Sequence, residues 1–78
     1  MPANSKASET FRYNVRLILR DRAISQAKLA AEIGTSPAGI CNVLSGSEGV
    51  TLDRAERIAT YLGMPLSALI SEKFSVTA

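Results

Sequence analysis

Apolar residues recur along this chain at intervals of three and four, the period of a helix with one buried face. Phe11, Val15, Ile18 and Leu19 form the first such stripe and predict a helix from about Ser8 to Arg22, with Tyr13 and Leu17 off the stripe. Leu29 and Ile33 mark a second, short helix, and Ile40, Val43 and Leu44 a third. Leu52, Ala55, Ile58, Ala59 and Leu62 form the inner face of a fourth that stops at Gly63. A short fifth, roughly Leu66 to Ser71, brings Leu66, Leu69 and Ile70 to cover the others. No run alternates apolar and polar residues for long, and the β-branched residues are scattered, so no sheet is expected. The pattern predicts an all-α, five-helix bundle.

The polar residues between the stripes predict where each helix starts and stops. Ser25 is placed to cap the second helix, with Ile24 and Leu29 at the N′ and N4 positions of a hydrophobic staple. Gly34 suits the left-handed residue that ends it. Ser36 then caps the third helix, and Pro37 enters its first turn with φ already near the helical value. Thr51 caps the fourth and Asp53 favours its positive end, and Pro65 begins the fifth. From Gln26 to Ser45 the chain therefore reads as two short helices joined by a glycine turn. Ala30, one residue past Leu29, lets two steeply crossing backbones approach. This is the geometry of a helix-turn-helix, which holds its second helix outward for a DNA groove.

The outward face of the third helix carries Pro37, Ala38, Cys41, Asn42 and Ser45, small or hydrogen-bonding residues with no acid among them. Only Asn42 can bind a base edge bidentately; Pro37, Ala38 and Cys41 offer apolar contact, most naturally to thymine methyls. Gly39, which costs roughly 1 kcal/mol against alanine within a helix, fits either close approach to DNA or packing against a neighbouring helix. Gln26, beside the open N–H groups of the second helix, is placed to grip a phosphate. Arg12, Arg16 and Arg20 stack four apart on the first helix, and Arg12 and Arg16 are expected to contact DNA if they adjoin the third helix. An ordinary αα-hairpin with a solvated outer face is the alternative, and Ala30, Gly34 and the apolar trio together weigh against it.

Length and composition narrow the field further. With 78 residues there is room for one domain, which buries only roughly 60% of the surface its unfolded chain exposes. The expected organisation is a mobile arm at 1–7 from which Lys6 reaches DNA, a domain at 8–71, and a tail at 72–78 whose Phe74 and Val76 serve a subunit interface. That tail is too short for a ligand-binding or self-cleaving domain. One cysteine and no histidine leave the usual zinc sites and the Ser-His and Cys-His nucleophiles without their residues, so no metal, cofactor or enzymatic activity is expected. Oxidation of an exposed Cys41 would add bulk or charge to the groove-facing helix, but a small residue that fits is the simpler account. No segment approaches the ~20 apolar residues of a membrane span, and the N-terminus lacks the apolar core of a signal peptide, so a cytoplasmic, nucleoid-associated protein is expected. The net charge of +2 conceals a basic front: residues 1–28 carry +4 and residues 29–78 carry −2. The loop from Ser45 to Val50 can meet a phosphate if Glu48 turns away.

At Ser25-Gln26, Leu29-Ala30, Ile33-Gly34, Ile40, Val43, Leu44 and Gly46 the chain resembles the phage lambda-type repressor and Cro family of helix-turn-helix regulators, also called the XRE family. The likeness spans about residues 11–71, with Ile58-Ala59 and Leu62-Gly63 extending it into the fourth helix. The resemblance implies a lambda-repressor-like fold and a small repressor that binds a palindromic double-stranded DNA operator as a homodimer. It implies phosphate contact by Gln26, base-edge contact by Ser36, Pro37, Ala38, Cys41 and Asn42, and backbone contact by Ser45 and the loop after it. Where many members pair an arginine with a glutamate, this chain has Leu19 and Leu44, a hydrophobic pair that suits a buried position. An antitoxin or other module binding a partner protein, or an anti-repressor acting on this one, is equally compatible with such a sequence. A broad apolar patch around Tyr61, Met64, Phe74 and Val76 would favour that alternative.

Overall fold

Four hydroxyl side chains start four helices. Ser5, Ser25, Ser36 and Thr51 each accept a hydrogen bond from the backbone N–H three residues on, at 3.1, 3.0, 3.0 and 3.2 Å. In the computed structural model, which describes residues 4–74, the helices are α1 (Lys6–Asp21), α2 (Gln26–Ile33), α3 (Pro37–Ser45), α4 (Leu52–Leu62) and α5 (Leu66–Ser71). No strand occurs among the described residues. Helix α5 follows Pro65 without a side-chain cap and lasts only six residues. Helix α1 begins two residues earlier than its apolar stripe predicts, because Ser5 rather than a later residue supplies the cap. Lys6 therefore belongs to the first turn of α1 and not to an arm, and residues 1–3 lie outside the described residues.

Four helix ends share one design. Ile24, Thr35, Ser47 and Met64 each donate their N–H to the carbonyl five residues back, at 2.8, 2.9, 3.0 and 3.0 Å. The residue before each has positive φ: Ala23 at 56°, Gly34 at 76°, Gly46 at 89° and Gly63 at 71°. This left-handed turn satisfies carbonyls that a helix end otherwise leaves open. Three arginines complete the job from elsewhere in the chain. Arg57 donates to Ile33 O at 3.3 Å, Arg16 to Leu44 O at 2.6 Å and Arg22 to Leu62 O at 2.8 Å, each placing a cation at the negative end of a helix dipole.

Helix α1 packs on α3 and α5, α2 on α3 and α4, and α4 on α5. Between them lies one cluster containing Phe11, Val15, Leu19, Leu29, Ala30, Ile40, Val43, Leu44, Ile58 and Leu69, all under a tenth exposed. Leu19 and Leu44 are both in it, as the apolar replacement of an ion pair requires. Ile24, Leu66 and Ile70 pack against its margin. Leu52 departs from expectation: it is 62% exposed instead of facing inward. Val50, one residue ahead of the cap and 1% exposed, takes the inward place, as a staple partner at N′ does.

The start of the tail joins the same core. Phe74 packs against the core, and its N–H donates to Asn14 Oδ1 at 2.8 Å. Asn14 is fully buried and donates from Nδ2 to Leu69 O at 3.0 Å and Glu72 O at 2.9 Å, so one amide ties α1 to the end of α5. Lys73 reinforces the seam by pairing with Glu9 at 3.1 Å and lying 5.3 Å from the Tyr13 ring centre. Phe74 thus packs into the fold of its own chain, and Val76 lies outside the described residues.

Candidate DNA interface

Helix α3 is fixed from within and bare without. Ile40, Val43 and Leu44 are at most 1% exposed, while Pro37, Ala38, Cys41 and Ser45 are exposed and Asn42 is half-buried at the edge. Its N-terminal end is held by Ser36, whose Oγ accepts from Gly39 N and keeps a hydroxyl proton to donate. An added Cβ on Gly39 would lie 3.1 Å from Ser36 Oγ and 3.3 Å from Thr35 Oγ1. A side chain at this position would press on the two hydroxyls of the cap, a crowding that the sequence did not reveal. Gln26 stands exposed at the first position of α2, on the helix that packs against α3.

The C-terminal end of α3 is gripped from several sides. Arg16, exposed, bonds Leu44 O, and the Arg12 guanidinium lies within about 3.5 Å of where a Cβ on Gly46 would stand. The two arginines expected to contact DNA are therefore gathered at this end of α3. Arg16 also lines a groove of about 290 Å³ with Tyr13, Leu17 and Arg20. Beyond Gly46 the loop folds back on Asn42. Its carbonyl accepts from Ser47 N at 3.0 Å, Glu48 N at 3.2 Å and Ser45 Oγ at 3.1 Å. Asn42 Nδ2 donates to Glu48 Oε1 at 3.2 Å, and the other Glu48 oxygen is 3.9 Å from Arg54 Nη1. The loop acid expected to repel phosphate is turned onto the helix and an arginine.

Two side chains in this arrangement escaped sequence reasoning, Glu48 as a partner of Asn42 and Arg54 as a partner of Glu48. Their signal was faint: an acid six residues beyond the one amide on the outer face of α3. Ser45 retains its exposed place, but its hydroxyl proton is committed to the carbonyl of Asn42. At the start of α2, the hydrogen bond to Glu32 at 2.7 Å, with the charge of that acid, raises the pKa of Lys28 above the usual lysine value.

Residues 15–69, more than half of the chain, match the family model described as helix-turn-helix. The chain belongs to the lambda-repressor and Cro-like helix-turn-helix family. No match to a curated protein or to a solved structure was found. The family is one of DNA-binding regulators rather than of enzymes, and the five helices form its lambda-repressor-like all-α fold. No helix among the described residues is long and apolar enough to cross a membrane, and no group of acids and cysteine there has the makings of a metal site.

Proposed function

We propose that this helix-turn-helix regulator is a small, Cro-like repressor of phage type that binds a palindromic operator as a homodimer and blocks a promoter by occupancy. The observation that carries the reading is the bare outer face of α3, which presents Pro37, Ala38 and Cys41 exposed on a helix whose opposite side is wholly buried. In this reading Ser36, Pro37, Ala38, Cys41 and Asn42 approach base edges. Gln26, Arg12 and Arg16 meet phosphates, as does the loop that Ser45 opens. One such helix covers one half-site, so two protomers place theirs about one helical turn apart, roughly 34–36 Å. Asn42 is the single strong hydrogen-bonding reader, and DNA shape supplies much of the remaining specificity.

The partner-protein alternative draws less support. Tyr61, Met64 and Phe74 are half-buried against the core, Val76 lies outside the described residues, and Leu52 is the one large hydrophobic residue that is well exposed among those described. Selection of bound sites from a random duplex library at two salt concentrations tests the proposal. A palindromic consensus with a steep salt dependence is expected. Absence of enrichment defeats it, and a non-palindromic consensus bound by a monomer removes the homodimer.

A further inference from the structure

We infer that Glu48 is a positioning residue for base recognition, which makes Asn42 discriminate adenine from guanine; the inference rests on the DNA-reading role of α3. Asn42 Nδ2 carries two hydrogens, and one of them goes to Glu48 Oε1 at 3.2 Å. The grip is reciprocal, because the Glu48 N–H donates to the Asn42 carbonyl at 3.2 Å. Behind Glu48, Arg54 lies 3.9 Å from the second carboxylate oxygen, with a side chain 29% exposed. The carboxylate is thereby held between the amide it receives and a cation on α4. What remains of the Asn42 side chain is one N–H and an Oδ1 that accepts no hydrogen bond among the described residues.

That remainder has a definite complement. Adenine presents an acceptor at N7 and a donor at N6 in the major groove, and one amide N–H with one amide oxygen matches both. Guanine presents two acceptors, N7 and O6, and satisfying both requires two donors. The second donor of Asn42 is the one that Glu48 occupies. An unpaired Asn42 is free to turn its NH₂ group toward guanine, and the pairing removes that option. Glu48 also sets an acid where the guanine acceptors would need a proton. Discrimination thus comes from a residue that touches no base.

The test is site selection and affinity measurement with the unsubstituted protein, Glu48→Ala, Glu48→Gln, Asn42→Ala and the Asn42→Ala/Glu48→Ala double variant, each checked for an unchanged thermal melt. The unsubstituted protein is expected to require adenine at one position of each half-site. Glu48→Ala should reduce the adenine-over-guanine ratio at that position alone, on the order of tenfold. Glu48→Gln, whose carbonyl still accepts from Asn42, should retain most of it. In the Asn42→Ala background, removing Glu48 should leave base preference where it was. An enriched site without adenine at any such position, or an adenine preference that Glu48→Ala leaves intact, overturns this inference alone. Failure of the unsubstituted protein to enrich any site overturns the reading of α3 as well.

Discussion

The two ends of α3 are built to opposite plans. At the N-terminal end Ser36 caps its own helix, and Pro37 and Ala38 stand exposed beyond it. At the C-terminal end Arg16 bonds Leu44 O, Gly46 turns the chain, Arg12 lies against that turn, and Asn42 is tied to the loop through both its carbonyl and its amide. A helix that must enter a groove has to leave its leading end bare. Its position must then be set from the inner face and from behind. The comparison predicts that changes to the core contacts, the turn and the arginine clasp of the held end act on stability, and changes at the bare end on DNA.

The largest effect is expected where the held end meets the core. Leu44→Glu buries a charge in a position 1% exposed, and an unpaired buried charge costs about 3–5 kcal/mol. Thermal or chemical denaturation measures the loss, and a loss under about 1 kcal/mol would show that this end is not held from the core at all.

Next comes the turn. Gly46 sits at φ 89°, and a side chain there costs about 1–2 kcal/mol, partly offset by the lower freedom of alanine in the unfolded chain. Ala23 shows that the fold tolerates a Cβ at such a site, with φ 56° at the end of α1. A Cβ at Gly46 would lie 3.4 Å from Arg12 Cζ, an ordinary contact with the end of a flexible side chain, so the cost of Gly46→Ala is that of the backbone. A net loss of about 1 kcal/mol in a urea titration is expected. No loss would mean that the turn relaxes freely and contributes little to fixing α3.

Arg16→Met keeps most of the side-chain length but removes the donor to Leu44 O. Hydrogen bonds from charged groups contribute more than neutral ones, yet this arginine is exposed, so about 1 kcal/mol is expected. The loss should persist in high salt, because a short bond to a carbonyl is less screened than a surface ion pair. A loss that vanishes with salt would recast Arg16 as a long-range charge rather than a clasp.

The contrast between the two ends also explains what could be read in the sequence. Caps and stripes are local: Ser25, Ser36, Thr51, Gly34 and Gly63 act within a turn or two of their own positions, so the five helices were legible with small errors at their edges. Leu52 and Val50 exchanged places because helical periodicity alone does not say which residue beside a cap turns inward. Asn14, by contrast, lies on the Phe11 to Ile18 stripe as a polar exception, and its meaning depended on three backbone groups from Leu69 to Phe74, more than fifty residues away. The arginines were harder still. Arg16 and Arg22 read as part of a basic front and Arg57 as one base in an acidic half, yet each serves a distant helix end. The outer face of α3 was legible as a list of residues but not as an arrangement, since the Asn42 to Glu48 pair depends on how the loop after α3 folds back.

The smallest stability effect, and the sharpest comparison, comes from placing the same acid at the bare end. Ala38→Glu puts a carboxylate on an exposed residue in the first turn of α3, where the helix dipole favours it by about 0.3–1 kcal/mol. Folding should be unchanged or slightly strengthened, the opposite of Leu44→Glu six positions further on. DNA binding should fall for specific and random duplexes alike, because the charge faces phosphates and base edges whatever the sequence, and the deficit should shrink as salt rises. A stable Ala38→Glu protein with undiminished affinity would show that the leading end of α3 stays out of the groove. A destabilised one would show that the bare end is packed after all, and the two ends would then differ only in degree.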